Sequence, residues 1–193
     1  MLIFGYGSLV NVEHLQNDLG RTLEAEKDFR FCQLQHFRRC WTVAMDNRIN
    51  IPGYKYYVDV HTGQRPNGFV TFLNIRPCQG TSITGIVFKV STQELERLDQ
   101  RERNYRKLDV TEHLDVPVSE KVYAYVGLDE SEKHYYEGVT QDSAIISKDY
   151  YELVYRAYES LGQETLTDYL NTTDAPDIPI VHLEKRQILD ASS

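Results

Sequence analysis

An apolar run, Leu2-Ile3-Phe4, stops abruptly in Gly5-Tyr6-Gly7-Ser8-Leu9. The pattern reads as a strand from Leu2 to Tyr6 running straight into a glycine-flanked turn that carries a hydroxyl. Glycine permits close approach to the backbone, and successive N–H groups in such a turn form an anion-binding nest. The same residues also suit an ordinary tight turn into a helix. Three better-known loops do not fit. The third glycine of the dinucleotide fingerprint is missing, and no Gly-Lys-Ser/Thr follows. A nucleophile elbow needs Gly-X-Ser-X-Gly, but Ser8 is followed by Leu9 and Val10.

The second informative segment ends in an acid. Ser91-Thr92-Gln93-Glu94 has the spacing of a capping box and predicts a helix from Thr92 to about Arg103. Leu95, Leu98 and Glu102 then fall on one stripe of that helix. The leucines face the core, which turns Glu102 the same way. An inward carboxylate is costly unless paired, and burial moves it towards the range useful for proton transfer at neutral pH. The alternative is a helix that frays near Arg101, with Glu102 paired to Arg106 at the surface.

At 193 residues the chain suits one domain, with residues 171–193 as a C-terminal extension. Its net charge of −8 speaks against nucleic acid and anionic membrane surfaces as partners. No apolar stretch approaches the ~20 residues of a membrane span, and no leader pattern precedes the first strand. Three cysteines, an odd number, fit a reducing compartment, so a cytoplasmic location is expected.

Between the two segments the chain reads mostly as strands. Asn11 caps a short helix whose stripe is Val12, Leu15 and Leu19, and Gly20 closes it. Phe29–Met45 is extended. Tyr54–Val60 and Phe69–Ile75 read as strands joined by a Pro66-Asn67-Gly68 turn, and Ile83–Val90 as another. Lys107–Val116 and Val122–Gly127 follow the capped helix. Ser147–Leu161 is the longest predicted helix, with a shorter one over Glu164–Leu170 and an extended tail. The predicted class is α+β: a mixed, mostly antiparallel sheet forming a partly closed barrel with flanking helices.

Other constellations are weaker. Cys32, His36 and Cys40 recur every four residues, as helical metal ligands do. On a strand, however, such neighbours stand about 13 Å apart, too far for one ion. Cys78 reads as a loop residue, and no thiol-enzyme pattern surrounds it. Arg38 and Arg39 must point to opposite faces of a strand; one can reach a pocket for a substrate carboxylate, or both can lie on a solvated face. The fourteen tyrosines suit half-buried strands and helix faces, and also pocket walls.

Taken in order, Phe4-Gly5-Tyr6-Gly7-Ser8-Leu9, Phe37-Arg38-Arg39-Cys40-Trp41, Leu98-Asp99-Gln100-Arg101-Glu102, Val122-Tyr123-Ala124-Tyr125-Val126 and Ile146–Tyr151 resemble the gamma-glutamylcyclotransferase superfamily over about residues 1–162. That superfamily includes ChaC-like, AIG2-like and gamma-glutamylamine enzymes. The Tyr-Gly-Ser-Leu form and the Arg-Glu pair are similar to the ChaC-like branch, but Asn11-Val12 stand where that branch has tryptophan and proline. The resemblance implies a barrel-like fold with a cavity. It also implies a gamma-glutamyl substrate bound by Tyr6, Gly7, Ser8 and Leu9, with Tyr105 and Tyr125 nearby, and Glu102 as the catalytic acid. The implied reaction closes the glutamyl group to 5-oxoproline and releases an amine, amino acid or peptide, as in glutathione metabolism. It needs no cofactor or metal. The competing expectation is a non-catalytic relative that uses the same cavity to bind a ligand or partner.

Overall fold

The computed structural model describes residues 1–189. Nine strands and five α-helices follow one another along them: β1 (Leu2–Gly5), α1 (Val12–Leu19), β2 (Phe29–Asp46), β3 (Lys55–Asp59), β4 (Phe69–Lys89), α2 (Thr92–Arg101), β5 (Tyr105–Asp109), β6 (Val122–Gly127), α3 (Asp129–Thr140), β7 (Ala144–Ser147), α4 (Lys148–Glu159), α5 (Gln163–Asn171), β8 (Ile180–Val181) and β9 (Leu183–Gln187). Seven strands form one curled half-barrel sheet in the order β5-β6-β1-β4-β7-β8, with β2 also paired to β4. The antiparallel ladders carry most of the register, above all β2 against β4. The parallel pairings β1/β6, β4/β7 and β7/β8 span two or three residue pairs each. The predicted α+β class with a mixed, mostly antiparallel sheet is the observed one.

Local signals explain several elements. The Asn11 side chain accepts from the His14 N–H at 2.8 Å, and Gly20 ends α1 in the left-handed conformation with φ of 71°. Both capping-box bonds form at α2: Glu94 N–H to Ser91 Oγ at 3.3 Å and Ser91 N–H to Glu94 Oε2 at 2.7 Å. Ile3, Phe4, Leu15, Leu34, Ile86, Val154 and Tyr158 sit at the heart of the main core.

Other stretches depart from the sequence expectation. The strands expected over Phe69–Ile75 and Ile83–Val90 are two ends of β4, which runs unbroken through Arg76–Gly80. Cys78 is therefore a strand residue, half-buried, and Pro77 pairs opposite Phe37 beside a bulge in β2. That bulge places His36 at a φ of 65°, and the irregularity lets proline sit in a long ladder. Pro66–Gly68 does not close a hairpin, because β3 pairs with β9 instead of β4. The strand expected over Lys107–Val116 stops at Asp109 and gives way to a 3-10 turn at Thr111–His113. Helix α3 was not foreseen. Its buried face is made of Ser131, Tyr135 and Gly138, too small and polar to show as an apolar stripe. It seats closely because Gly138 has no Cβ, which would lie 2.9 Å from both Phe69 and Ala144.

The smaller sheet, β3 with β9, covers one side of the half-barrel. A second core cluster of Met45, Tyr54, Tyr57, Val70, Phe72 and Leu183 fills the space beneath it. Buried Asn47 ties it on: its amide donates to Tyr57 O at 3.0 Å and accepts from Tyr57 N–H at 2.8 Å. The expected extended tail is thus recruited as β8 and β9.

Candidate active site

A cavity of about 520 Å³ opens between the end of β1, the end of α2 and the β3/β9 sheet. All of the sequence-predicted site residues, Tyr6, Gly7, Ser8, Leu9, Glu102, Tyr105 and Tyr125, line it. Six of the fourteen tyrosines face it: Tyr6, Tyr54, Tyr57, Tyr105, Tyr125 and Tyr150.

The turn after β1 is held tightly. Val10 N–H donates to Gly7 O at 3.0 Å and Asn11 N–H to Ser8 O at 3.3 Å, closing a short 3-10 turn over Ser8–Val10. Among the described residues, no group accepts from the N–H of Gly7, Ser8 or Leu9. Such groups are donors awaiting an acceptor. The two glycines differ in purpose. A Cβ on Gly5 would lie 2.7 Å from Leu9 Cβ, so the turn itself requires glycine there. A Cβ on Gly7 would meet only Tyr150 Oη at 3.5 Å and Leu73 Cδ2 at 3.6 Å, ordinary contacts with cavity-lining residues. The protein has room for a side chain at Gly7, and that room belongs to the cavity.

Arg39 supports this turn from behind. It is fully buried and does not line the cavity, so it neither reaches a substrate nor lies on a solvated face. Its Nε donates to Tyr6 O at 3.2 Å, its other nitrogens reach Thr172 Oγ1 at 2.8 Å, Tyr158 Oη at 2.9 Å and Thr84 O, and Tyr158 Oη donates to Tyr6 O at 2.7 Å. A buried guanidinium needs such satisfaction, and meeting it pins the turn to α4 and the end of α5. Arg38, its neighbour, faces the other way and pairs with Asp174.

Glu102 follows the last turn of α2 instead of lying inside it. Its N–H donates to Leu98 O at 2.8 Å and its carbonyl accepts from Tyr105 N–H at 2.9 Å. The early end does not turn the side chain away: the carboxylate is 16% exposed, lines the cavity, and stands 3.2 Å from Arg101 Nε. Arg106 is not its partner. Arg101 also donates to Ser8 Oγ at 2.8 Å and pairs with Asp18, so one guanidinium couples the turn to the acid.

Burial first, and then the neighbouring tyrosines and the Glu102 charge, shape the groups around the cavity. Burial raises the Tyr54 hydroxyl to about 12, with Glu102 adding to it. Burial with help from the same carboxylate also raises Tyr6, Tyr105 and Tyr150. These phenols stay protonated at neutral pH and remain hydrogen-bond donors. The hydroxyls of Tyr6, Tyr105 and Tyr125 are already committed, to Tyr125 O at 2.6 Å, Leu73 O at 2.8 Å and Asp99 Oδ1 at 2.6 Å, so those three offer ring faces.

Several lining residues were not expected from sequence. Lys55 and Tyr57 project from β3, Leu183, Lys185 and Gln187 from β9, and Tyr150 from the start of α4. Alternation within Tyr54–Val60 puts Lys55 and Tyr57 on one face, but no local signal says which partner that face meets. Cys32 and Cys40 stay buried along β2, where burial raises their thiols to about 12 and about 11. Among the described residues, no three histidine, cysteine or acidic side chains cluster as metal ligands would. No described helix is long and apolar enough to cross a membrane.

A solved structure described as gamma-glutamyl cyclotransferase aligns over 91% of this chain and 89% of its own, at 14% identity and a TM-score of 0.51. An uncharacterized protein from Homo sapiens aligns over the same shares, at 16% identity and a TM-score of 0.50. At such identities the likeness is one of fold. No curated protein sequence matches the chain. Residues 3–152, which contain β1, its turn, β4, α2 and the start of α4, match the sequence pattern of one family. The chain belongs to the gamma-glutamyl cyclotransferase, AIG2-like family.

Proposed function

We propose that the protein cyclises a gamma-glutamyl group to 5-oxoproline, releasing an amine, amino acid or peptide, with Glu102 as the proton carrier. One observation carries this reading: a single cavity joins a turn of unpaired backbone N–H groups to a half-buried carboxylate.

The chemistry follows from the substrate. A gamma-glutamyl compound contains its own nucleophile, the α-amine, which closes a five-membered ring on the γ-carbonyl. At neutral pH that amine is mostly an ammonium and cannot attack. Glu102 takes a proton from it as general base, and returns a proton to the departing nitrogen as the C–N bond breaks. The N–H groups of Gly7–Leu9 hold the substrate α-carboxylate or the developing oxyanion. Tyrosine rings exclude water and keep the glutamyl chain folded, which supplies the proximity term. Every group in these steps belongs to the chain or to the substrate, and no cofactor takes part.

The other carboxylates lining the cavity are less suited. Asp18 is held between Arg101 and His14 Nε2, the latter 3.6 Å away, whereas Glu102 meets Arg101 alone, and Asp149 is exposed. The test is incubation with a panel of gamma-glutamyl amino acids, peptides and amines, scored for 5-oxoproline with and without chelator. Release that is indifferent to chelator is the expected result. Tight binding of these compounds with no 5-oxoproline would establish a binding protein in place of an enzyme. Activity lost to chelator would overturn the metal-free steps.

A further inference from the structure

The wall formed by β3 and β9 carries two cations for which the reaction has no use. The strands pair antiparallel, with Lys55 opposite Gln187 and Tyr57 opposite Lys185. Alternation along each strand brings Lys55, Tyr57, Leu183, Lys185 and Gln187 to one face, and all five line the cavity. β9 lies beyond residues 3–152, so part of this wall stands outside the stretch that the family pattern matches.

Lys55 is half-buried, with its ammonium 4.5 Å from the centre of the Phe72 ring and 5.5 Å from that of Tyr54. Among the described residues, no carboxylate lies within 4.0 Å of Lys55 or Lys185. Glu102 shares the cavity and spends its close contact on Arg101. A cation on an aromatic bed, inside a cavity and with no carboxylate in direct contact, has room to take an anion. The cavity therefore offers two places for negative charge: the amides of Gly7–Leu9 on one wall, and Lys55 with Lys185 on the other. A gamma-glutamyl derivative of a simple alkylamine carries one carboxylate. A gamma-glutamyl amino acid or peptide carries two.

Resting on the cyclotransferase reading above, we infer that the β3/β9 wall recognises a carboxylate on the leaving group, so that gamma-glutamyl amino acids and short peptides are favoured over gamma-glutamyl derivatives of simple alkylamines. Lys55 is the principal specificity-determining residue. Lys185, exposed on the neighbouring strand, adds to the same field.

The test compares two substrates that differ only in that carboxylate, gamma-glutamyl-alanine and gamma-glutamyl-ethylamine. Wild-type kcat/KM should favour the alanine compound by about 10- to 100-fold, the value of one charge-assisted contact. In Lys55→Met, which keeps the aliphatic stem over Phe72, the ratio should fall towards one. Lys55→Arg should restore most of it. A wild-type ratio near one overturns the inference whether or not the variants fold. Equal losses on both substrates in Lys55→Met also overturn it, because Lys55 would then hold the glutamyl end that both share. Release of 5-oxoproline from neither substrate by the wild-type protein strikes at the reaction itself; release from both without preference strikes only at the wall.

Discussion

The turn wall of the cavity hangs from a seven-stranded sheet, whereas the facing wall is a two-stranded ribbon laid over a few side chains. Behind the turn stand Arg39 and Tyr158, both fully buried and both bonded to Tyr6 O. Beneath the ribbon stand Leu183, Tyr57 and Tyr54, with Asn47 as the polar tie. A two-stranded ribbon is marginal by itself and takes its stability from what it packs against. The turn wall keeps backbone donors and a carboxylate in fixed relation, as the proposed proton transfer requires. The ribbon carries Lys55 and Lys185, the two cations on which the proposed selectivity rests. On the proposed reading, reaction and selectivity are lodged in regions with different support.

The sharpest way to break that comparison is at Glu102. Glu102→Gln keeps shape and most hydrogen bonding but cannot take a proton. Turnover should fall about 10²–10⁴-fold on both gamma-glutamyl-alanine and gamma-glutamyl-ethylamine, leaving their ratio intact. The melting temperature should move by no more than ~2–4 °C, since the side chain is partly exposed. A variant that turns over fully, or that loses only the ratio, would show that acid and ribbon are not separate in role.

The two glycines of the turn sharpen the comparison within one wall. Gly5→Ala forces a Cβ against Leu9 and should cost about 1–3 kcal/mol of stability, read by denaturant unfolding. Gly7→Ala or Gly7→Val places its side chain in the cavity. Either should leave unfolding nearly unchanged while raising the KM for gamma-glutamyl substrates about tenfold or more. If Gly7→Val binds a glutamyl ligand as well as wild type, the turn is only a turn.

The smallest expected effect is on pH. Burial lowers the Lys55 ammonium to about 8; the charge of Lys185 lowers it further and that of Glu102 opposes the fall. A cation with a depressed pKa is charged below that value and neutral above it. The preference for the carboxylate-bearing substrate should therefore hold below about pH 8 and decline by a few-fold towards pH 9.5. Measuring the ratio cancels the titration of the substrate α-amine, which both compounds share. A ratio that is flat across that range would separate Lys55 from selectivity.

Much of the turn wall is legible in the sequence. The Leu2–Phe4 run, the Gly5–Leu9 turn, the capping box at Ser91 and the stripe leading to Glu102 are all local signals, written within a few residues of where they act. Glu102 lines the cavity even though α2 ends at Arg101, because its N–H still bonds to Leu98 O and so holds it at the next position of the helix. Arg39 was legible only as one of two adjacent arginines on opposite faces. Its burial depends on Tyr158 and Thr172, far along the chain. α3 was hidden because its buried face is Gly138, Ser131 and one ring of Tyr135.

By itself the sequence determined the strand-turn start, the capped helix, the acid at its end and the α+β class, since each rests on short-range periodicity and capping. Tertiary structure alone decided that residues 55–59 pair with 183–187, that β4 runs through Pro77, and that Lys55, Lys185 and six tyrosines share a cavity with Glu102. The physical reason is that a strand's pattern fixes which face is buried but not which distant strand supplies its hydrogen bonds, and that choice is made by the packing of the whole chain.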